Sequence, residues 1–261
     1  MTTREVARDF DRISSAYDAT REPLEAEAID RMAERLRTAG VSSILEVGVG
    51  TGRIGRPLLD RGFDLTGVDA SWGMLARARA KGLARLVHGS GLRLPFRDGA
   101  FDATPFVHVL HLLDDPLVAL SEAGRVSRRG TFALVRPAND RADRGREGHR
   151  ARRIVYRILA EEGYPVPTRA DAPWGREREL LTAHPPDELT VVFDRTETAP
   201  LTRSLDMLAH RASRHTLDVP DDVIARAVAA ARAEVGDATF TFRRVEALAT
   251  WRAPSPASAT S

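Results

Sequence analysis

The sequence predicts a doubly wound α/β fold around a mostly parallel sheet, and three observations predict it. Short apolar runs alternate with amphipathic stretches from residue 43 onward, the first run ends in a glycine-rich turn, and the second ends in an aspartate. Strand–helix alternation of this kind implies βαβ units, a parallel sheet and a crevice beyond the carboxyl ends of its strands.

The elements follow in order. Residues 4–40 read as helical: Phe10, Ile13 and Tyr17 repeat at helical spacing, a break falls at Arg21-Glu22-Pro23, and the second amphipathic stretch stops at Gly40. Strands are expected at 43–47, 64–68, 84–88, 101–109 and 131–135, with helices following the first turn to about residue 61 and again at 72–80 and 117–126. Pro105 sits awkwardly in its strand, which predicts a bulge or an early bend. Past Pro137 the pattern changes. A polar, arginine-rich stretch at 139–153 precedes helical pieces broken by prolines up to residue 190. A strand at 190–194, helices at 201–212 and 223–235, and a long alternating strand at 239–251 complete the list, and the Pro/Ser/Ala/Thr-rich end from Pro254 is expected to be disordered.

Composition narrows the chemistry. A chain of 261 residues, 43% hydrophobic, can bury one sizeable core with a smaller appendage. Charges interrupt every apolar run, so no membrane span is expected, and the first residues lack the apolar stretch of a signal peptide. With no cysteine, disulfides, thiolate metal sites and cysteine nucleophiles are excluded, and no metal site is expected. A soluble cytoplasmic protein is the expectation. The formal net charge is +2, and of 39 basic residues only Lys81 is a lysine.

The strongest chemical signal is Glu46-Val47-Gly48-Val49-Gly50-Thr51-Gly52. Glycines at alternate positions after a buried strand let the backbone turn tightly and approach a ligand closely. Asp69, closing the second strand, offers a carboxylate to both hydroxyls of a ribose, or caps the next helix. Gly50-x-Gly52-x-x-Gly55 with Asp69 also matches the dinucleotide pattern, so the turn and the aspartate alone leave NAD and S-adenosylmethionine open.

Four segments add to this: Ile44 to Gly52, Val68-Asp69-Ala70-Ser71-Trp72-Gly73-Met74-Leu75, His88 to Asp102 with Leu94-Pro95-Phe96 and Phe101-Asp102, and Val107 to Pro116. In this order and spacing they resemble the class I S-adenosylmethionine-dependent methyltransferases, particularly the small-molecule, quinone-biosynthesis-like type 11 branch. Phe10-Asp11-Arg12-Ile13 and Tyr17-Asp18 resemble that branch's N-terminal helix. The resemblance covers residues 9–136. It implies a Rossmann-like sheet of seven strands with an antiparallel edge strand and a helical cap, and it implies S-adenosylmethionine as cofactor. Glu46 then lies near the methionine end, Gly48, Gly50 and Gly52 line the cofactor, Asp69 holds the ribose, and Trp72, Gly73 and Met74 border the adenine. Ala70, Ser71, Ser90, Gly91 and Tyr17 join the cofactor-binding set. Two departures stand out: Ser90 replaces the usual acidic residue at the adenine amino group, and Val126-Ser127-Arg128-Arg129-Gly130 replaces a proline–glycine–glycine turn.

On this basis residues 1–40 form an N-terminal helical segment and 41–137 the cofactor-binding core. Residues 138–237 form a cap or lid containing the strand near 190–194, 238–253 an edge strand completing the core, and 254–261 a tail. His111, at the carboxyl end of the fourth strand, matches a histidine frequent in the branch and is a candidate base, or else packs under the cofactor. His108 is read as a core residue. His215 is a second catalytic candidate, with His210 beside it in the cap. Arg12 joins Tyr17 as a candidate cover for the cofactor.

Absences favour a small organic acceptor. Cytosine C5 methylation through a covalent adduct needs a cysteine. Exocyclic amine methylation uses an Asp/Asn-Pro-Pro-aromatic turn where this chain has His108-Val109-Leu110-His111, and ribose 2′-O methylation uses two lysines. Nucleic acid is disfavoured. The alternatives are action on RNA or protein through the arginine-rich segment, a nicotinamide-dependent oxidoreductase, and a non-catalytic regulator that keeps only the fold.

Overall fold

The computed structural model describes residues 2–21, 25–136, 148–167, 174–210 and 213–252. Helix α1 (Thr3–Thr20) begins in a capping box, in which Glu5 N–H donates to Thr2 Oγ1 and Thr2 N–H donates to Glu5 Oε2. After α2 (Ala26–Thr38) the chain runs β1 (Ser43–Val47), α3 (Gly55–Asp60), β2 (Asp64–Asp69), α4 (Trp72–Ala80), β3 (Leu86–His88), β4 (Phe101–Val107), α5 (Pro116–Val126) and β5 (Ser127–Val135). It continues through α6 (Arg150–Glu161), α7 (Trp174–Ala183), β6 (Glu188–Pro200), α8 (Leu205–Ala209), α9 (Asp221–Val235) and β7 (Thr239–Arg252).

The seven strands lie in the order β3-β2-β1-β4-β5-β7-β6, with β1 to β5 parallel and β7 antiparallel to both its neighbours. Strand order reverses between β1 and β4, so the crevice opens beyond their carboxyl ends. Both faces of the parallel strands are buried. On one face Ile44 joins Met32, Leu36, Leu58 and Phe63; on the other Leu45 and Val47 join Phe106, Leu110 and Ala123. A third cluster, apart from the sheet, packs Val155 and Leu159 of α6 against Leu205 and Leu208 of α8 and Ala227 and Ala231 of α9. The described residues after β5 thus build a small core of their own above the sheet. No helix among the described residues is long and apolar enough to cross a membrane.

Several details differ from the sequence reading. The final strand, expected at the edge, lies inside the sheet, and β6 takes the outermost place. β6 runs over thirteen residues where five were expected, because it pairs with β7 along its length. Residues 193–200 and 239–246 extend as a two-stranded ribbon past the point where β5 stops pairing at Val135. Pro105 stays in register with Phe132 of β5, and the irregularity falls between Phe101 and Ala103. Its cost appears on the other side, where β4 meets β1 only at Ile44↔Ala103 and Val47↔Phe106. The helix expected over 201–212 is a 3-10 turn at Leu201–Ser204 followed by α8, since Thr202 and Ser204 are poor helix formers. The expectations for 22–24, for 139–147 of the arginine-rich stretch and for the tail from 254 lie outside the described residues.

Phe101-Asp102, one of the family-like motifs, stands at the edge of the sheet away from the crevice. Asp102 Oδ2 accepts from Ser42 N–H at 3.0 Å and Ser43 N–H at 2.9 Å, and Oδ1 accepts from Arg128 at 2.8 Å. These bonds hold its carboxyl well below the usual carboxylate range despite burial, and they staple the starts of β1, β4 and β5.

Gly130 has φ +146, and a Cβ there would lie 2.5 Å from the Trp251 carbonyl oxygen of β7. Gly130→Ala therefore forces the β5–β7 pair apart and should lower stability by roughly 1–3 kcal/mol, a Tm loss of several degrees. Thermal unfolding of the two chains checks this, and an unchanged Tm would show that the pair yields freely.

Candidate active site

The crevice is built on the turn after β1. Gly48, Gly50 and Gly52 all have positive φ, between +56 and +76. Gly48 is packed tightly, since a Cβ there would meet Val109 Cγ2 at 2.5 Å; a Cβ at Gly50 would meet only the Gly48 carbonyl at 3.9 Å. The turn is thus wedged at its base and open at its crest, where a ligand can approach backbone closely. Gly48 and Val49 N–H both donate to Val68 O, at 2.8 and 3.1 Å, tying the turn to β2.

Asp69 clamps the assembly. Its Oδ2 accepts from Gly50 N–H and its Oδ1 from Ser71 N–H, each at 2.8 Å. A carboxylate oxygen takes more than one donor, so both keep lone pairs for a ligand. Burial raises the Asp69 carboxyl above its usual range, with the two N–H bonds opposing the shift.

Glu46 lies beneath the turn. Its carboxyl is buried, Oε2 has no hydrogen-bond partner, and a Cβ on Gly55 would meet that atom at 2.6 Å. Burial and then the charge of Asp69 push it up to about 8, so at neutral pH it is mostly protonated.

Helix α1 closes one side. Asp11 Oδ1 accepts from Ser71 Oγ at 2.6 Å and Gly73 N–H at 2.8 Å, while Ser71 Oγ itself accepts from Met74 N–H as the cap of α4. A Cβ on Gly73 would meet Ser14 Oγ at 2.7 Å, so α1 rests directly on α4. Seven residues further along α1, Asp18 accepts from Thr51 Oγ1 and pairs with Lys81 Nζ, both at 2.5 Å. Arg12 reaches Leu217 O at 3.0 Å and Asp218 at 2.9 Å, and Arg21 reaches Met207 Sδ at 3.2 Å. The helix therefore straps the glycine turn to the cap. Tyr17 stands on it half-buried, edge-on to Phe10 and under the Arg21 guanidinium.

Beyond β2 and β3, His88 stacks on the exposed Trp72 at 4.1 Å, and its Nε2 lies 2.9 Å from Ala70 O. Ser90 Oγ accepts from Leu92 N–H, and Gly91 is close to Val47, where a Cβ would meet Cγ1 at 2.7 Å. Met74 is buried.

At the end of β4, His108 is the one non-glycine with positive φ among the described residues, at +52. Its side chain is 27% exposed, which overturns the expectation of a core residue, and Nε2 stands 3.4 Å from Glu246 Oε2 of β7. Glu246 is fully buried, and its Oε1 accepts from Arg136 Nε at 3.1 Å and Arg244 Nε at 3.4 Å. His111, one 3-10 turn further along, is the more enclosed histidine at 6% exposure, with Nδ1 3.8 Å from Glu177 Oε2 of α7. His215 falls in a short turn, Arg214–Thr216, that packs against α1, and the exposed His210 is engaged with Asp206 O of its own helix at 2.8 Å.

The structure thus gathers Glu46, the three glycines, Asp69, Ala70 and Ser71 around one turn. Sequence reasoning quoted Asp11 and Asp18 without a role, although their seven-residue spacing puts both on one face of α1. It missed Glu246, which the β5–β7 pairing brings to the end of β4 from far along the chain.

Seven strands in this order, with antiparallel β7 between β5 and β6, define the class I methyltransferase fold. Residues 45–135, which hold most of β1 to β5 and their connections, match the type 11 family model described as a methyltransferase domain. Among curated relatives, the demethylmenaquinone methyltransferase of Beutenbergia cavernae is 35% identical over 138 residues, covering 50% of this chain and 57% of that protein. That of Parafrankia sp. is 33% identical over 157 residues, covering 50% and 61%. The chain spans well under two thirds of the length of these relatives. Among solved structures, a putative methyltransferase from an antibiotic biosynthesis pathway of Anabaena variabilis overlays with TM-score 0.53 at 14% identity, covering 84% of this chain and 96% of that one. The cyclase SpnF overlays with TM-score 0.50 at 18% identity, covering 95% and 97%. Both report the fold alone.

Glu46 makes stability depend on pH. Unfolded, it ionises near 4.5; folded, at about 8. Between those values the fold holds the extra proton, so the contribution of this group is complete below about 4.5 and lost as pH rises through 8. Glu46→Gln should therefore gain stability relative to the native chain as pH rises from about 5 to about 8. Unfolding curves at both ends that stay parallel would place the titration elsewhere.

Proposed function

We propose that this chain is an S-adenosylmethionine-dependent methyltransferase acting on a small organic acceptor. The observation that carries the reading is Asp69, a carboxylate at the end of β2 held by Gly50 and Ser71 N–H beside a turn whose crest is open. The residues fit an adenosyl amino acid: Asp69 has acceptor capacity left for two ribose hydroxyls, and Gly50 leaves room for close approach. The orphaned Oε2 of Glu46 supplies a negative partner for an ammonium group once ionised. A nicotinamide dinucleotide would instead bring its anionic pyrophosphate to this turn, beside the acid. The curated relatives, named demethylmenaquinone methyltransferases, support the same reading and make that quinone the first acceptor to assay.

When bound, the cofactor supplies a methyl group on a sulfonium, which is already a strong electrophile. The chain's own work is positioning and exclusion of water. Held near attack geometry, such reactants gain on the order of 7–11 kcal/mol over encounter in solution. Asp69 and the glycine turn fix one reactant. Helix α1, tied to the turn through Asp11, Asp18 and Lys81 and to the cap through Arg12 and Arg21, shields it. The second reactant enters beyond the end of β4, between His108 and the cap. A lid of this kind excludes solvent without any catalytic triad.

Calorimetric titration with S-adenosylhomocysteine and NAD in parallel tests the assignment. Micromolar affinity for the first and none for the second is expected, and the reverse order would overturn it. Asp69→Ala should weaken S-adenosylhomocysteine at least about tenfold, as expected for lost hydrogen bonds to a charged group; unchanged affinity would remove the ribose assignment.

A further inference from the structure

Among the described histidines, His108 stands against a buried acid while its side chain stays partly exposed. His108 occupies a left-handed backbone position just past the end of β4, where a non-glycine residue is strained and where such strain concentrates at functional sites. Its neighbour Val109 is the side chain packed against Gly48, which places His108 next to the glycine turn. Nε2 stands 3.4 Å from Glu246 Oε2, a buried oxygen that no hydrogen bond satisfies, so a small turn of the ring would bring an Nε2–H onto it. Glu246 is in turn fixed through its second oxygen by Arg136 and Arg244. The side chain is 27% exposed, and among the described residues no hydrogen bond engages Nδ1.

We propose that His108 is the proton-accepting residue of the acceptor site, with Glu246 as its positioning residue. This rests on the methyltransferase reading above. Glu246 holds the ring in the tautomer with hydrogen on Nε2, so that Nδ1 presents a lone pair to the crevice. As the acceptor's nucleophilic atom (an oxygen, a nitrogen, or the ring carbon of a quinol, which then rearomatises by passing its own proton to the ring oxygen) forms its bond to the methyl carbon, the carbon–sulfur bond breaks with its electrons leaving on sulfur. The acceptor's own O–H or N–H bond breaks toward Nδ1, and its electron pair remains on the acceptor. The imidazolium so formed lies against Glu246 and is neutralised there.

The surroundings suit this role. Burial, then Arg136, lowers the imidazole well below its ordinary value; His111 and Arg244 add to the shift and Glu177 opposes it. These groups approach from the end of β5, the turn after β4, β7 and α7, and their sum disfavours the protonated ring. A weak base is sufficient, because a hydroxyl or amine proton becomes strongly acidic once its atom is being alkylated. His111 is placed differently: it is enclosed, and its Nδ1 is directed at Glu177.

The test uses the full chain saturated with S-adenosylhomocysteine. Diethylpyrocarbonate at about pH 5.5 attacks only unprotonated imidazole, and an ordinary exposed histidine is about nine-tenths protonated one unit below 6.5. Peptide mapping should find His108 labelled nearly as fast at about pH 5.5 as at about pH 7.5, and nitrogen-15 spectra of labelled histidine should show a single Nε2–H tautomer that becomes mixed in Glu246→Gln. Labelling of His108 that is much slower at the lower pH, or a tautomer unaffected by Glu246→Gln, overturns the proposal. Asparagine tolerates a left-handed backbone, so His108→Asn keeps the turn. With demethylmenaquinol as probe it should lower turnover roughly a hundredfold or more while S-adenosylhomocysteine affinity stays within about twofold; native turnover in that variant overturns the catalytic role. The labelling and tautomer readouts need no acceptor and decide the proposal even for a chain that does not turn the probe over. Failure of the native chain to bind S-adenosylhomocysteine would instead fail the methyltransferase reading.

Discussion

The carboxylate of Asp69 joins three parts of the chain that would otherwise meet only through apolar packing. One oxygen holds the crest of the turn after β1, the other holds the start of α4, and the residue itself ends β2. Because Ser71 then caps α4 and receives α1 through Asp11, the N-terminal helix is positioned by the same group. Burial works against ionisation at Asp69, and the two N–H donors work for it. A charge kept in such a place is stabilised by fixed dipoles rather than by water, which is the condition under which it discriminates between ligands.

The core of this arrangement was legible in the sequence for a simple reason. A parallel βαβ unit is local: strand, turn and helix are consecutive, so the glycines at 48, 50 and 52 and the aspartate at 69 carry their own context. The buried charges at the far end of β4 were not legible. Glu246 alternates along β7 like any strand residue, and nothing in its neighbours distinguishes an inward acid from an outward one. Its place depends on β7 lying between β5 and β6, a non-local pairing. The same cause explains the misreading of His108, whose exposure depends on where Arg136 and Glu246 arrive, and the shortness of the strand expected near residue 192.

Glu46 and Glu246 are counterparts of a kind. Each is a buried acid with one oxygen lacking a hydrogen bond, one on β1 under the turn and one on β7 across from the end of β4. Unsatisfied buried acceptors are uncommon because they cost the desolvation of the group without compensation. That two of the five such side-chain atoms among the described residues belong to carboxylates flanking one crevice marks where the fold gives up stability. The remainder of the sheet is built conventionally, with both faces packed by Leu, Ile, Val and Phe.

The inward position of β7 also constrains how the chain can be made. β6 emerges from the ribosome some forty residues before its only hydrogen-bonded neighbour, so it has no sheet to join until synthesis reaches residue 252. Until then β5 is a bare edge, ready to pair with any passing strand. The five parallel strands can assemble early from consecutive units, whereas the crevice's outer wall and the charges on it arrive last and together. A nascent chain would therefore be able to form the glycine-turn half of the crevice well before the half that β7 carries.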